Sequence, residues 1–314
     1  MKFDIGKHTV YLARHGSRAY GTSTPESDLD IKGFAVAPKL YTLGFAHKFE
    51  QYEEHGADSP EGPLDSVVYD IRKFCRLAAD CNPNIIEVLF IDDSDVLTLH
   101  PAGKLVRDNR EAFLSKKARI TFSGYAVSQL KRIKTHRGYL LNPPTHKPTR
   151  EEFGLAVDMK ITADMMGAFD KVTAGGEAVD PNVMELVARE KRYKAALERW
   201  NQHESWKANR NEKRAALEAE HSYDSKHAGH LVRLLRMCRE ILTGKGVIVR
   251  RPDAAELLAI RNGEWSYEKL IEWAEREDGE MRALYDASTL PDEPDMGKLN
   301  AICVEAQERF WRMS

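Results

Sequence analysis

Cysteine is scarce in this chain: Cys75, Cys81, Cys238 and Cys303 are the four among 314 residues, and no two of them form a C-x-x-C pair. That spacing excludes a zinc knuckle and a disulfide framework, so the thiols are expected to be reduced, three of them on apolar helical patterns. Long hydrophobic runs are missing as well, and none approaches the roughly 20 residues of a membrane-spanning helix. The opening MKFDIGKH lacks the apolar centre of a signal peptide, so a cytoplasmic location is expected, with no membrane partner. An excess of one charge is also absent. A net charge of −2 gives no overall attraction to a polyanion, so any nucleic acid would need a local basic patch. There is no internal repeat and no low-complexity tail, and the length favours two domains over one.

What is present is concentrated in Gly16 to Gly33, GSRAYGTSTPESDLDIKG. The apolar run from His8 to Ala13 before it and Ile31 to Val36 within and after it are rich in β-branched and aromatic residues and predict strands. Asp28 and Asp30 are separated by one residue, and alternate side chains of a strand share a face. Both carboxylates therefore aim at one spot while Leu29 points to the core. Two crowded anions repel unless a cation lies between them, and Mg²⁺ or Mn²⁺ is the hard, oxygen-seeking cation such a pair suits. Gly16 and Ser17, at the end of the preceding strand, predict a turn into a helix whose free N–H groups and hydroxyl face a phosphate. The same residues also supply ordinary turn and cap chemistry, with Gly21 and Pro25.

A strand, then Gly-Ser, then Asp-x-Asp on the next strand resembles the nucleotidyltransferase superfamily typified by DNA polymerase β. The fuller string GSRAYGTSTPESDLDIKGF is similar to the RlaP and YcgL-like branch, whose members are predicted to act in RNA repair. The runs DIRKFCRLAADCNPNIIEVLF and RRPDAAELLAIRNGEWSYEKL extend the resemblance over most of the chain. It implies an α+β fold: an α/β nucleotidyltransferase core of mixed sheet and helices over residues 1–110, followed by a mainly helical domain over residues 111–314 that closes a nucleotide cleft. It also implies a nucleoside triphosphate as substrate and two metals held by carboxylates.

The resemblance further implies a third carboxylate on a neighbouring strand, to deprotonate the attacking hydroxyl and share the second metal. Asp65, on the predicted strand Leu64–Tyr69, is the first candidate; Asp70 and Glu50 are its competitors. Asp70 precedes Ile71, Phe74, Cys75 and Ala78 at helical spacing, which also fits a helix cap. Lys39 to Glu54 shows no clear period, and residues 55–63, Glu61 among them, read as loop. Asn82-Pro83 predicts a capped helix start, and Ile85 to Phe90 reads as packing.

From Pro101 onward the pattern is helical, broken by prolines between Leu141 and Arg150, where Lys147 and Arg150 offer a solvated linker or a phosphate contact. Val183 to Glu220 reads as long helix, basic at Lys191, Arg192, Lys194 and Arg199, with glutamates between them and Trp200 and Trp206 on it. Paired charges on a solvated face are the ordinary reading of such a stretch; basic residues interleaved with tryptophan also suit nucleic acid. In Tyr223 to Leu242 an apolar stripe marks an amphipathic helix, and Lys226, His230 and Arg233 stand at i, i+4 and i+7 beside it. Such a row suits a triphosphate, and in related nucleotidyltransferases a lysine of the helical domain reaches the nucleotide phosphates. Arg250, Arg251 and Arg261 are weaker candidates for phosphate.

The reading is a metal-dependent nucleotidyltransferase: Asp28, Asp30 and Asp65 catalytic and metal-binding, Gly16, Ser17, Lys226, His230 and Arg233 nucleotide-binding. An RNA end is the expected acceptor; a protein or small-molecule hydroxyl, or a non-catalytic nucleotide- or RNA-binding regulator, are the alternatives. The nucleotide base is chosen by cleft side chains from distant segments.

Overall fold

A computed structural model describes residues 3–60, 62–158, 161–175, 179–210 and 212–313. Its centre is a mixed five-stranded sheet flanked by helices, followed by a mostly helical remainder, an α+β fold. The N-terminal elements are β1 (Thr9–Arg14), α1 (Gly16–Tyr20), β2 (Leu29–Ala35), β3 (Gln51–Ala57), β4 (Leu64–Asp70), α2 (Ile71–Ala79), α3 (Pro83–Leu89) and β5 (Val96–Leu99). The strands lie in the order β3-β4-β2-β1-β5. β2 and β4 run parallel, with Asp30 opposite Asp65, and the other neighbours are antiparallel.

The core lies where sequence patterning puts it: Val10, Tyr11, Ala13, Phe34, Ala35 and Val36 from the central strands meet Ile71, Phe74, Ile86 and Leu89 from α2 and α3. Both helix starts use side-chain caps. Asp70 accepts from the Arg72 N–H at 3.0 Å and Asn82 from the Asn84 N–H at 3.1 Å, which satisfies backbone donors a helix start leaves open. All four cysteines are buried and free.

Two strands differ from the sequence reading. Residues 51–57, assigned there to unpatterned chain and loop, form β3; its side chains are nearly all exposed, so no apolar alternation marks it, and the ladder to β4 makes it a strand. β5 also goes unread, because it is four residues long and leaves Leu97 and Leu99 about two-fifths exposed. The predicted long helix is two, broken at Asn209.

The helices that follow are α4 (Pro101–Asp108), α5 (Lys117–Leu141), α6 (Ala163–Ala174), α7 (Pro181–Ala208), α8 (Glu212–His221), α9 (Ser225–Leu242), α10 (Ala254–Arg261), α11 (Tyr267–Ala287) and α12 (Met296–Met313). The chain forms two compact units, residues 1–133 with 225–314, and residues 134–224. The first unit therefore contains both the sheet and α9 to α12, with residue 110 inside it. Within it α12 packs on α2 and α4, and α9 on α10 and α11. The second unit holds many of its charges in pairs: Arg150 with buried Glu190, Arg189 and Arg192 with Glu185, and Lys191 with Asp170. Among the described residues no helix is long and apolar enough to cross a membrane.

Candidate active site

The chain enters the site from β1 at His15, whose backbone N–H bonds to the Asp30 carbonyl at 2.8 Å. Gly16 follows at φ +62° and Gly21 closes α1 at φ +76°, donating its N–H to Arg18. Both are left-handed positions that suit glycine, so the short helix is bracketed by two residues chosen by backbone conformation. Gly16 has a second constraint. A Cβ built on it would lie 2.1 Å from Oδ2 of Asp30, so the carboxylate rests against the bare glycine backbone.

Replacement of Gly16 by alanine is therefore expected to do two things. The left-handed backbone costs about 1–2 kcal/mol with a Cβ, read as a lower urea midpoint. The Asp30 carboxylate must also move away, so Mn²⁺ binding at Asp30, titrated on the same protein, should weaken as well; G16A with only a lowered midpoint and wild-type Mn²⁺ affinity would show that the close approach is unimportant.

The structure places Asp28 just before β2, exposed, and Asp30 on it, half-buried, with buried Leu29 between them. Asp65 faces Asp30 from the adjacent parallel strand. Among the described residues the three carboxylates do not gather within 4.8 Å, because Asp65 turns toward β3. Its Oδ1 accepts the Gly56 N–H at 3.1 Å and lies 3.4 Å from His55 Nδ1. The competitors have other partners: buried Asp70 caps α2 and pairs with Arg72, and exposed Glu50 pairs with Lys48 and Lys73.

A cavity of about 300 Å³ opens over this edge of the sheet. Gly16, Ser17, Asp28 and Asp30 line one side, and Lys226, His230 and Arg233 of α9 line another, joined by Arg261 of α10. Arg250 and Arg251 are instead paired elsewhere, with Asp95 and with Glu240 and Asp253. Lys32, two residues beyond Asp30 on the same strand face, also lines the cavity. Sequence reasoning missed it, although the i, i+2 rule that paired the aspartates reaches Lys32 as well.

Beneath the cavity lies a buried polar cluster around Glu87, which stands in a run that the sequence reading assigned to packing. Glu87 of α3 is fully buried; its Oε1 is 2.5 Å from Arg233 Nη1, its Oε2 accepts the Tyr20 hydroxyl at 2.5 Å, and His15 Nε2 stands 3.5 Å away. The Arg233 guanidinium stacks over the Tyr20 ring at 4.0 Å. Burial alone would raise the Glu87 carboxyl, but Arg233, His15 and Tyr20 together hold it well below the usual range. Burial, with Lys32 and Arg233 against it, lowers His15 to about 4; burial and its cationic neighbours lower His230 to about 3. Asp30 is raised by burial first and then by Asp65 and Asp28, while Lys32 and Lys226 oppose the rise.

His15 carries a pH prediction. Its folded value lies below the ordinary 6.5, so between about pH 6.5 and 4 the unfolded chain takes up a proton that the folded chain does not. Stability falls as pH falls through that window, by up to about 1.4 kcal/mol per pH unit for this group. Urea midpoints measured from pH 7.5 to 4.5 should drop, and less steeply for His15→Asn; equal slopes would remove His15 as a cause.

A mixed sheet with carboxylates on adjacent strands, beside a Gly-Ser turn that opens a helix, is the α+β arrangement that the sequence resemblance implies. Residues 3–141 match the RlaP family, described as the RNA repair pathway DNA polymerase beta family, and so the branch that the sequence resembles. A protein of Enterobacteria phage T4, named as an uncharacterized 38.9 kDa protein in the nrdC-mobD intergenic region, is 30% identical over 126 residues. The matched part covers 38% of this chain and 37% of that protein. No solved structure matches.

Proposed function

We propose that the chain is a metal-dependent nucleotidyltransferase that moves a nucleoside monophosphate from an NTP to an acceptor hydroxyl at an RNA end. The observation that carries this reading is the convergence on one cavity of Asp28 and Asp30 with Gly16, Ser17 and Lys226, while Asp65 is registered against Asp30 on the next strand. The donor set fits a divalent cation. Asp30 is raised by burial and by its two anionic neighbours, and all three groups offer oxygen ligands of the kind Mg²⁺ or Mn²⁺ takes.

Asp28 and Asp30 would hold metal, and Asp65 would join them by leaving His55. Bound there, two such ions stabilise the attacking and leaving oxygens of an in-line displacement. Asp65 takes the proton of the acceptor hydroxyl, whose oxygen bonds to the α-phosphorus as the bond to the bridging oxygen breaks and pyrophosphate leaves. Gly16 and Ser17 orient the β,γ-phosphates, and Lys226 supplies positive charge where charge develops on pyrophosphate. His230, held neutral by burial, can act only as a neutral partner, and Arg233 reaches the cavity with one nitrogen already on Glu87.

Lys226→Ala is expected to weaken triphosphate binding by about 1–3 kcal/mol, the range for a charge-assisted contact, with little change in stability because the residue is exposed. Nucleotide titration followed by fluorescence checks it, and unchanged affinity would remove Lys226 from the site. The reading as a whole is tested by incubating the protein with each α-labelled NTP, Mg²⁺ or Mn²⁺ and a pool of small RNAs, beside a D28A/D30A control. Label entering RNA only with the carboxylates intact supports it and names the base; label entering protein or a small molecule moves the acceptor; label nowhere leaves a non-catalytic binder.

A further inference from the structure

The buried cluster beneath the cavity has an unequal charge balance. Glu87 is one anion facing two cations, Arg233 from α9 and Lys32 from β2, with neutral His15 and the Tyr20 hydroxyl as its other neighbours. His15, Tyr20, Lys32 and Arg233 all line the cavity, whereas Glu87 lies behind them and is fully buried. Lys32 shares a strand face with Asp30 and lines the cavity with His15, Tyr20 and Arg233, the three residues that contact Glu87, so it lies between the two carboxylates, both of which favour its charge. A half-buried cation such as Lys32 is drawn to the anion it can reach, because an unpaired charge away from bulk water is costly. Without Glu87, the anion left to Lys32 is Asp30, on its own strand face.

We infer that Glu87 is a positioning residue whose charge keeps Lys32 off Asp30, so that Asp30 is left for a divalent cation. This rests on the reading of Asp28 and Asp30 as metal ligands. Glu87 touches neither substrate nor metal. It acts by deciding where the two cations sit: Arg233 is fixed against Glu87 and the Tyr20 ring, and Lys32 is shared instead of given wholly to Asp30. The stretch IIEVLF, apolar around this one acid, thereby sets the electrostatics of the site from the side opposite the nucleotide.

The test is Mn²⁺ binding to the full chain, followed by loss of the free-ion electron paramagnetic resonance signal, without nucleotide or turnover. Glu87→Gln keeps the shape and the bond to Tyr20, and should weaken Mn²⁺ binding about tenfold or more, a change of roughly 1.4 kcal/mol. E87Q/R233M removes the anion and its strongest partner together, so the core stays balanced and the fold is preserved should E87Q alone unfold. It too should bind Mn²⁺ more weakly than wild type, because Lys32 then has only Asp30, and adding Lys32→Met should restore the affinity. A folded E87Q/R233M protein with wild-type Mn²⁺ affinity overturns the inference and leaves Glu87 a packing residue. Absence of Asp28-dependent Mn²⁺ binding in the wild type is a different failure: it removes the metal reading itself, and this inference with it.

Discussion

Asp30→Asn is expected to abolish nucleotidyl transfer, lowering the rate by at least about 10³-fold, while leaving the protein as stable as the wild type or slightly more so. The two effects have one cause. Asp30 lies half-buried beside Asp28 and Asp65, which raise it further, so in the metal-free protein its charge is unfavourable and an amide of the same shape relieves the repulsion. On the proposed function the same charge is the one a divalent cation would need, and loss of preorganised electrostatic stabilisation typically costs 10²–10³ or more in rate. Single-turnover assays and urea unfolding on the same preparation check both halves. Retained turnover would remove Asp30 from the metal site, and a large stability loss would mean that Lys32 and Lys226 already compensate its charge in the metal-free protein.

Arg233→Met should lower stability by about 3–5 kcal/mol, the cost of removing the ion-paired cation of a buried carboxylate. Glu87 is fully buried and Arg233 nearly so, and the methionine also forfeits the stacking over Tyr20. The pH dependence identifies the cause. Glu87 is held below its ordinary value in the wild type, so its pairing contributes above about pH 4.5 and is lost as pH falls below that. The gap between R233M and wild type should therefore shrink on acidification, as the stranded carboxyl of the variant takes up a proton. A gap that stays constant with pH would assign the loss to packing instead of charge.

The same pair shows how much of the site can be read from sequence. Arg233 was legible as a basic residue one step from an apolar stripe, and its placement beside Lys226 and His230 on the cavity wall follows from helical spacing. Its partner was not legible. A glutamate inside IIEVLF has no local signal to separate it from a solvated helix position, since its carboxylate is fixed by α9, 146 residues away. Lys32 was within reach of the reasoning, because the alternation that pairs Asp28 with Asp30 continues to it. Asp65 was placed on the right strand by composition, but only the parallel register sets it against Asp30.

The sequence by itself determined the elements with strong local physics: the strands around Gly16 to Gly33, the capped starts at Asp70 and Asn82, and the amphipathic helix within Tyr223 to Leu242, which forms as Ser225–Leu242. It also marked Asp28 and Asp30 as a pair, since acids at i, i+2 of an extended chain point to one side, and both line the cavity. Tertiary structure alone decided the rest. β3 and β5 exist because neighbouring strands offer them hydrogen bonds, in stretches with no pattern of their own to commit them. Residues 225–314 return to the sheet's unit across an intervening segment, a long-range packing choice that no local window records. The charge beneath the cavity was likewise decided by folding, because a buried ion's partner is whichever residue the fold brings within a few ångströms, at any separation along the chain.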